Sequence, residues 1–310
     1  MGPAFLTTIL FSLSGVCAQR TSKVLGGVRA NLYRVLLATA LLALWAHLWG
    51  QGLSGKALPI FLWSGLLGFG LGDIALYQAL PRIGSRLSIL LVHCLAAPLA
   101  AATEWLWLGT RMSATEMLAA VLILGGVALA LAPGRHLEIS RRMFWVGVTF
   151  GIIAAIGQGL GAVLSRHAYD VVKQAGEHID GLTAAYQRIL AGLAVAVGTW
   201  AIVQWRNKPS APPALNSQPS TLNSPRIWPW VLVNALAGPS IGVGCYQWAL
   251  SQQGTGVVLP IVALTPLVII PFSLFVEGER PRRRSLVGGL IAVAGVVLLA
   301  WSKEAAKKVF

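Results

Sequence analysis

Small residues recur along this chain at one fixed interval. Gly68, Gly72, the Ala79-Leu80 pair and Gly84 return 170 positions later, without a gap, as Gly238, Gly242, Ala249-Leu250 and Gly254, and Gly126 returns 169 positions later as Gly295. The stretch from Gly65 to Leu131 thus has a diluted copy from Gly238 to Leu299. Glycine is selected where backbones approach closely or turn sharply. A register held through so many glycines restricts the chain to two halves of similar architecture.

What the halves are made of follows from their hydropathy. Hydrophobic residues make up 56% and charged residues 11% of the chain, and the mean hydropathy is +0.71, far outside the range of a soluble domain of this length. A membrane crossing needs about 20 apolar residues as a helix. Ten runs of roughly that length are predicted: Gly2 to Lys23, Asn31 to Gly50, Leu58 to Leu80, Ser85 to Leu108, Ala114 to Ala132, Phe144 to Leu164, Thr183 to Val203, Trp228 to Leu250, Val257 to Val276 and Ser285 to Trp301. The first run occupies the place of a signal peptide but lacks a basic start and a small-residue cleavage site, so we read it as a helix. The expected division is residues 1–134 as one five-helix repeat, 135–143 as a basic linker, and 144–310 as a second five-helix repeat. Within the latter, the Pro-, Ser- and Asn-rich segment 206–226 is expected to be disordered.

The net charge of +14 would point to nucleic acid in a soluble protein. Here Lys and Arg lie almost wholly between the apolar runs, where they act as topology signals, and no nucleic-acid partner is expected. Cys17, Cys94 and Cys245 fall in three different runs without paired spacing, which excludes a disulfide frame or a metal site as a reading. An odd number of helices per repeat makes the second copy enter the membrane from the opposite side. Inverted repeats of this kind commonly enclose a midplane site in transporters.

Specific motifs strengthen this reading. Gly-Asp-x-x-Leu-Tyr-x-Ala-Leu spans Gly72 to Leu80, Arg-Ile-Gly-Ser-Arg follows at Arg82 to Arg86, and Pro266 stands twelve residues before Gly278-Glu279-Arg280. Gly126-Val127 and Gly295-Val296 close the two halves, and Arg34 and Arg188 each open the second helix of a repeat. Together these resemble the EamA-type transporters of the drug/metabolite transporter superfamily over nearly the whole chain. The resemblance implies an all-α polytopic membrane protein, ten transmembrane helices in two inverted five-helix repeats, and transport of small metabolites or toxic compounds, often outward. Two departures stand out. The first repeat has Gly109-Thr110-Arg111 where the family pattern has Gly-Glu-Arg, leaving only Glu279, and Pro98 sits two residues from the position aligned with Pro266.

Polar residues inside the runs are the site candidates, because a charge at a helix centre costs roughly 2.5–3.5 kcal/mol on insertion scales. On an ideal helix Gly70, Asp73 and Tyr77 share a face, with Gly68 and Gly72 as a small-residue packing surface. Asp73 reads either as a proton acceptor or cation ligand in a cavity wall, with Tyr77 and Gln78 beside it, or as an acid bridging to Arg34 or Arg86. Val243 occupies the aligned position in the second repeat, so acid chemistry there is one-sided. His93 and Glu104, three turns apart, define a polar stripe over Ala97 and Ala100. His93 reads as a titratable cavity group or a neutral core histidine, and Glu104 as a cavity group or an interfacial carboxylate. In the second half the intramembrane polar groups are mostly neutral, Gln158, Asn234, Ser240, Tyr246, Gln247 and Thr265, suited either to recognising a polar cargo or to binding helices together. Pro239, Pro260, Pro266 and Pro271 interrupt the eighth and ninth runs, and broken helices often mark a carrier's site.

No nucleotide loop, zinc-hydrolase motif or Ser-His-Asp context is present, so we expect no enzyme, no cofactor and no metal. Energy would come from an ion gradient, exchange or facilitated diffusion. The expected function is export of a small polar or amphipathic molecule across a bacterial-type plasma membrane by alternating access, with proton coupling through Asp73. The alternative is a membrane-embedded enzyme or receptor in which Asp73, His93 and Glu104 converge in one closed pocket. The bilayer and a small-molecule substrate are the expected partners, and a homodimer is compatible with the sequence. Lys and Arg number 15 after the odd-numbered runs and 7 after the even-numbered runs and in the tail, placing the termini outside. The resemblance places them in the cytoplasm, which we adopt.

Overall fold

The computed structural model describes residues 2–108, 113–131, 140–206, 226–253, 255–277 and 283–307. Every regular element among them is helical: α1 Gly2–Leu25, α2 Gly27–Leu48, α3 Leu58–Gly65, α4 Asp73–Leu108, α5 Ala114–Leu131, α6 Arg141–Gln174, α7 Gly181–Arg206, α8 Trp228–Ala235, α9 Ile241–Gln252, α10 Thr255–Val262, α11 Thr265–Glu277 and α12 Arg283–Lys307. Two π-helical segments, Leu66–Gly72 and Leu236–Ser240, join α3 to α4 and α8 to α9. The segments begin 170 positions apart, the interval of the glycine repeat. The glycines of the first weaken the regular ladder, and Pro239 removes an N–H from the second.

Six stretches among the described residues are long and apolar enough to cross a membrane. The longest, Leu58–Ala100, has 43 residues, about 65 Å of helix against a hydrocarbon core of about 30 Å. It is kinked at Gly84, whose backbone (φ 82°, ψ 165°) is open to glycine and strained for other residues. The corresponding Gly254 lies outside the described residues. Gly26 (φ 76°) makes the equally tight turn from α1 to α2.

Helix starts follow the sequence signals. Ser140 accepts a hydrogen bond from the Met143 N–H at 3.2 Å to cap α6. Asp180 caps α7 by accepting from the Leu182 and Thr183 N–H groups at 2.9 and 3.0 Å. α6 runs ten residues beyond the apolar run ending at Leu164, because its last turns carry exposed polar residues and the Arg166–Asp170 ion pair (3.0 Å). The ninth run is likewise split, α10 ending at Val262 and α11 starting at Thr265. Thr265 donates from Oγ1 to the Val262 carbonyl (2.5 Å) at the break, directly before Pro266.

Small residues bring the helices together. A Cβ on Gly288 would lie 2.5 Å from the Gly126 carbonyl, and one on Gly295 would lie 2.9 Å from Ile123, so α5 and α12 meet backbone to backbone. On α1, Thr7, Thr8 and Ser12 bond to carbonyls one turn back and also reach Gly242, Ile261 and Thr265 of the second half. Internal satisfaction of this kind lets hydroxyls sit at an apolar interface.

The turns after α2 and α6 meet on one face. The Lys56 N–H donates to Glu177 (3.0 Å), the Asp180 N–H to Gln51 (3.2 Å), and Trp45 Nε1 to Asp180 (3.2 Å). The Gln187 amide donates to the Gly52 and Ser54 carbonyls, each at 3.0 Å. The expected linker 135–143 and loop 206–226 lie largely outside the described residues, as do Gly109-Thr110-Arg111, Glu279 and the side chain of Glu104.

Candidate functional site

Pieces of both halves line an open cavity whose empty space, with the solvent at its mouth, is about 710 Å³. Its wall is built from α1, α2, the first π segment and α4 of the first half, and from α6, α7, the second π segment and α9 of the second. The π segments bring Gly68, Gly72 and Gly238 to the surface of the cavity. The absence of side chains there lets two guanidinium groups approach the backbone. A Cβ on Gly238 would lie 3.2 Å from Arg34 Nη1, and one on Gly68 would lie 2.9 Å from Arg188 Nη2. Each arginine therefore reaches the glycine of the other repeat.

The expectation that Arg34 and Arg188 open their helices needs correction. Each stands seven residues inside its helix, after Gly27 and Gly181, about 10 Å along the axis. They are 5% and 3% exposed, so both cations are interior groups. Arg34 forms an ion pair with Asp73, donates to Asn31 (3.1 Å) and lies 4.7 Å over the Tyr77 ring. The bridging role considered for Asp73 is therefore present, and the bridge sits in the cavity wall. Arg188 Nε donates to Ser64 Oγ (2.9 Å), and its guanidinium lies 5.4 Å from the Phe69 ring centroid. Ser64 in turn contacts the Gly161 carbonyl (2.6 Å) and the Ser165 hydroxyl (2.8 Å).

The remaining candidates divide. His93 lines the cavity, stacked on Phe11 at 5.6 Å between ring centroids. Gln158 and Tyr246 of the second half also line it, Tyr246 with its ring centroid 6.1 Å from that of Phe11. Asn234 sits behind this surface, accepting from Ser14 (2.8 Å) and donating to the Tyr77 hydroxyl (2.7 Å), which links α1, α8 and α4. Gln78 is turned away, accepting from Arg82 Nη1 (2.9 Å) beside a separate small recess. Gln247 is fully buried, and among the described residues neither of its amide atoms has a hydrogen-bond partner.

The ideal-helix face of Gly70, Asp73 and Tyr77 is also corrected. Gly70 packs on Val195 of α7, whereas Gly68, Gly72 and Asp73 line the cavity. A π turn accommodates an extra residue, which rotates the following side chains relative to an α-helical projection. Pro98 lies inside α4 and Pro266 in the first turn of α11, neither on the cavity wall. Gly242 packs against Phe11 and the Ala237 carbonyl. Sequence reasoning missed Phe11, Ser14 and Ser64. The hydroxyl spacing of α1 was a readable signal for Ser14, and the 170-residue interval connects Ser64 to Asn234.

Comparison with known proteins agrees with two repeats. The description of the EamA-like transporter family matches residues 3–132 and 145–301. The chain belongs to that family. It is therefore a multi-pass membrane protein of transporter kinship, with two EamA repeats in contact with lipid. Among curated proteins it is similar to the "Probable 4-amino-4-deoxy-L-arabinose-phosphoundecaprenol flippase subunit ArnE" of Pseudomonas paraeruginosa strain PA7, 37% identical over 78 residues. It is also similar to the protein of the same description from Pseudomonas aeruginosa strain UCBPP-PA14, 38% identical over 81 residues. These matches cover 25% and 26% of this chain and 64% and 66% of the relatives, just under two thirds of their length. A crystal structure of a protein 15% identical covers 96% of this chain and 94% of its own, with a TM-score of 0.62, and shares the fold.

Proposed function

We propose that this EamA-family chain is a secondary-active carrier that moves a small polar or amphipathic molecule outward across a bacterial plasma membrane. Ten crossings in two inverted five-helix repeats would rock about the central cavity and open it to each face in turn. The observation that carries this reading is the cavity itself, walled by elements of both halves that correspond except for α4 beyond Gly84. The contact between the turns after α2 and α6 supports the inversion, since five crossings per repeat put those turns on one face. The length of Leu58–Ala100 supports two crossings within it.

Within this carrier Asp73 is the coupling candidate. A proton on its carboxylate would cancel the charge that holds Arg34 and loosen α2 from α4, making protonation a conformational signal. Asp73→Asn is expected to abolish proton-driven flux. Undiminished proton-driven flux in that variant would remove Asp73 from coupling. Both termini are assigned to the cytoplasm.

Distances between spin labels on the two faces test the alternating motion without knowledge of the cargo. One pair replaces Ser54 and His178, in the meeting turns, and the other replaces Lys23 and Trp228 at the opposite ends of their helices. Both are placed in a background with Cys17, Cys94 and Cys245 changed to Ala. A carrier is expected to show two distance populations per pair, one face lengthening as the other shortens. A single unchanging distance at both faces would favour an enzyme or receptor with a closed pocket.

A further inference from the structure

The two halves of the cavity are not electrically equivalent. Arg34 has its carboxylate within its own repeat, Asp73. The position aligned with Asp73 in the second repeat is Val243, which also lines the cavity. Among the described residues Arg188, the counterpart of Arg34, has Ser64 as its hydrogen-bond partner, through Nε, and no carboxylate within 4.0 Å. Its two terminal nitrogens are left to the cavity, with Nη2 beside Gly68 and Gly161. The charged groups of the cavity wall are thus two guanidinium ions and one carboxylate that is already engaged, beside His93. Asp73 acts on both guanidinium groups but is hydrogen-bonded to Arg34, so among the described residues the cavity wall holds one buried positive charge in excess.

A guanidinium 3% exposed in a bilayer protein is costly unless it has a counter-charge. Its planar fork of donors matches an oxyanion in geometry as well as in charge. Resting on the carrier reading above, we propose that Arg188 is an oxyanion subsite. The cargo presents a carboxylate or phosphate group to Arg188, taking the place that Asp73 fills for Arg34. Gly68 keeps the approach open, since a side chain there would meet Nη2 at 2.9 Å. Cargo binding would then bridge the repeats, because Arg188 of the second is seated on Ser64 of the first.

The oxyanion could belong to a free small molecule or to a lipid headgroup, and the test separates these sources. Thermal unfolding of the full-length protein is measured in a neutral detergent with inorganic phosphate, benzoate, hexyl phosphate and, as a cationic control, hexylammonium. A parallel set uses nanodiscs of phosphatidylcholine with or without phosphatidic acid. At least one oxyanion is expected to raise the unfolding midpoint saturably, while hexylammonium does not. A response to benzoate, phosphate or hexyl phosphate identifies a free anion, and one confined to phosphatidic acid identifies a headgroup.

Arg188→Gln is expected to weaken the apparent affinity by about thirtyfold or more, as for loss of one partner of a buried charge pair. Arg188→Lys should retain part of the response. Val243→Asp, which supplies the second repeat with its own carboxylate, should abolish the response in a folded protein. Oxyanion stabilisation that persists in both Arg188→Gln and Val243→Asp, or a flat response of folded wild type to every oxyanion, would overturn the subsite. Neither result would alter the spin-label distances that test the carrier reading.

Discussion

The two repeats build the same cavity wall from different polar chemistry. In the first, Arg34 is held by Asp73 and stacks near Tyr77. In the second, Arg188 rests on a serine of the opposite repeat, and a valine stands where the acid would be. Behind the guanidinium groups, Asn234 ties α8 to α1 and α4, whereas its counterpart Ser64 ties α3 to α6 and α7. Duplication thus preserved the backbone devices, namely the π segments and their glycines, while the side chains diverged. Backbone geometry decides whether the halves fit together, and side chains decide what lies between them, so the two are free to evolve at different rates.

This difference can be broken most forcefully at the ion pair. Arg34→Gln or Asp73→Asn alone leaves a buried charge unpaired and is expected to cost about 3–5 kcal/mol in detergent unfolding. The double variant should recover much of that loss. Filling the shared glycine positions comes next. Gly68→Leu and Gly238→Leu each push a side chain into a guanidinium group and are expected to cost about 1–3 kcal/mol, similarly in the two halves. If only one were harmful, the backbone equivalence of the repeats would fail. The supporting hydrogen bonds are of similar size. Asn234→Ala and Ser64→Ala should each lose about 1–3 kcal/mol from the partner groups left unsatisfied, with Ser64→Ala also changing the position of Arg188. Thr8→Ala, which removes a hydroxyl already bonded within its own helix, should cost about 0.6 kcal/mol or less.

Much of the fold was legible because its signals are local or periodic. Apolar runs report membrane-length helices, and the 170-residue interval reports two halves and coincides with the paired π segments. Asp73, His93, Gln158 and Tyr246 reach one cavity because an intramembrane polar residue generally faces the protein interior. What was not legible depends on three-dimensional register. The π turn rotates Gly70 away from Asp73, and nothing in an α-helical projection of Leu66–Gly72 reveals this. Arg34 and Arg188 look like boundary residues in the sequence because the polar Asn31 and Gln187 stand near them, yet both are buried. Gln78 has the same composition-level credentials as Gln158, but Arg82 one turn away claims its side chain.

The asymmetry between the repeats is tested most directly by comparing Arg34→Gln with Arg188→Gln in ligand-free protein, following thermal unfolding in neutral detergent. The account predicts a large fall in the midpoint for Arg34→Gln, which strands Asp73. For Arg188→Gln it predicts a midpoint close to or above that of the wild type, since an unpaired buried charge is removed. Equal, large falls in both variants would contradict it, because Arg188 would then be as fully compensated within the protein as Arg34.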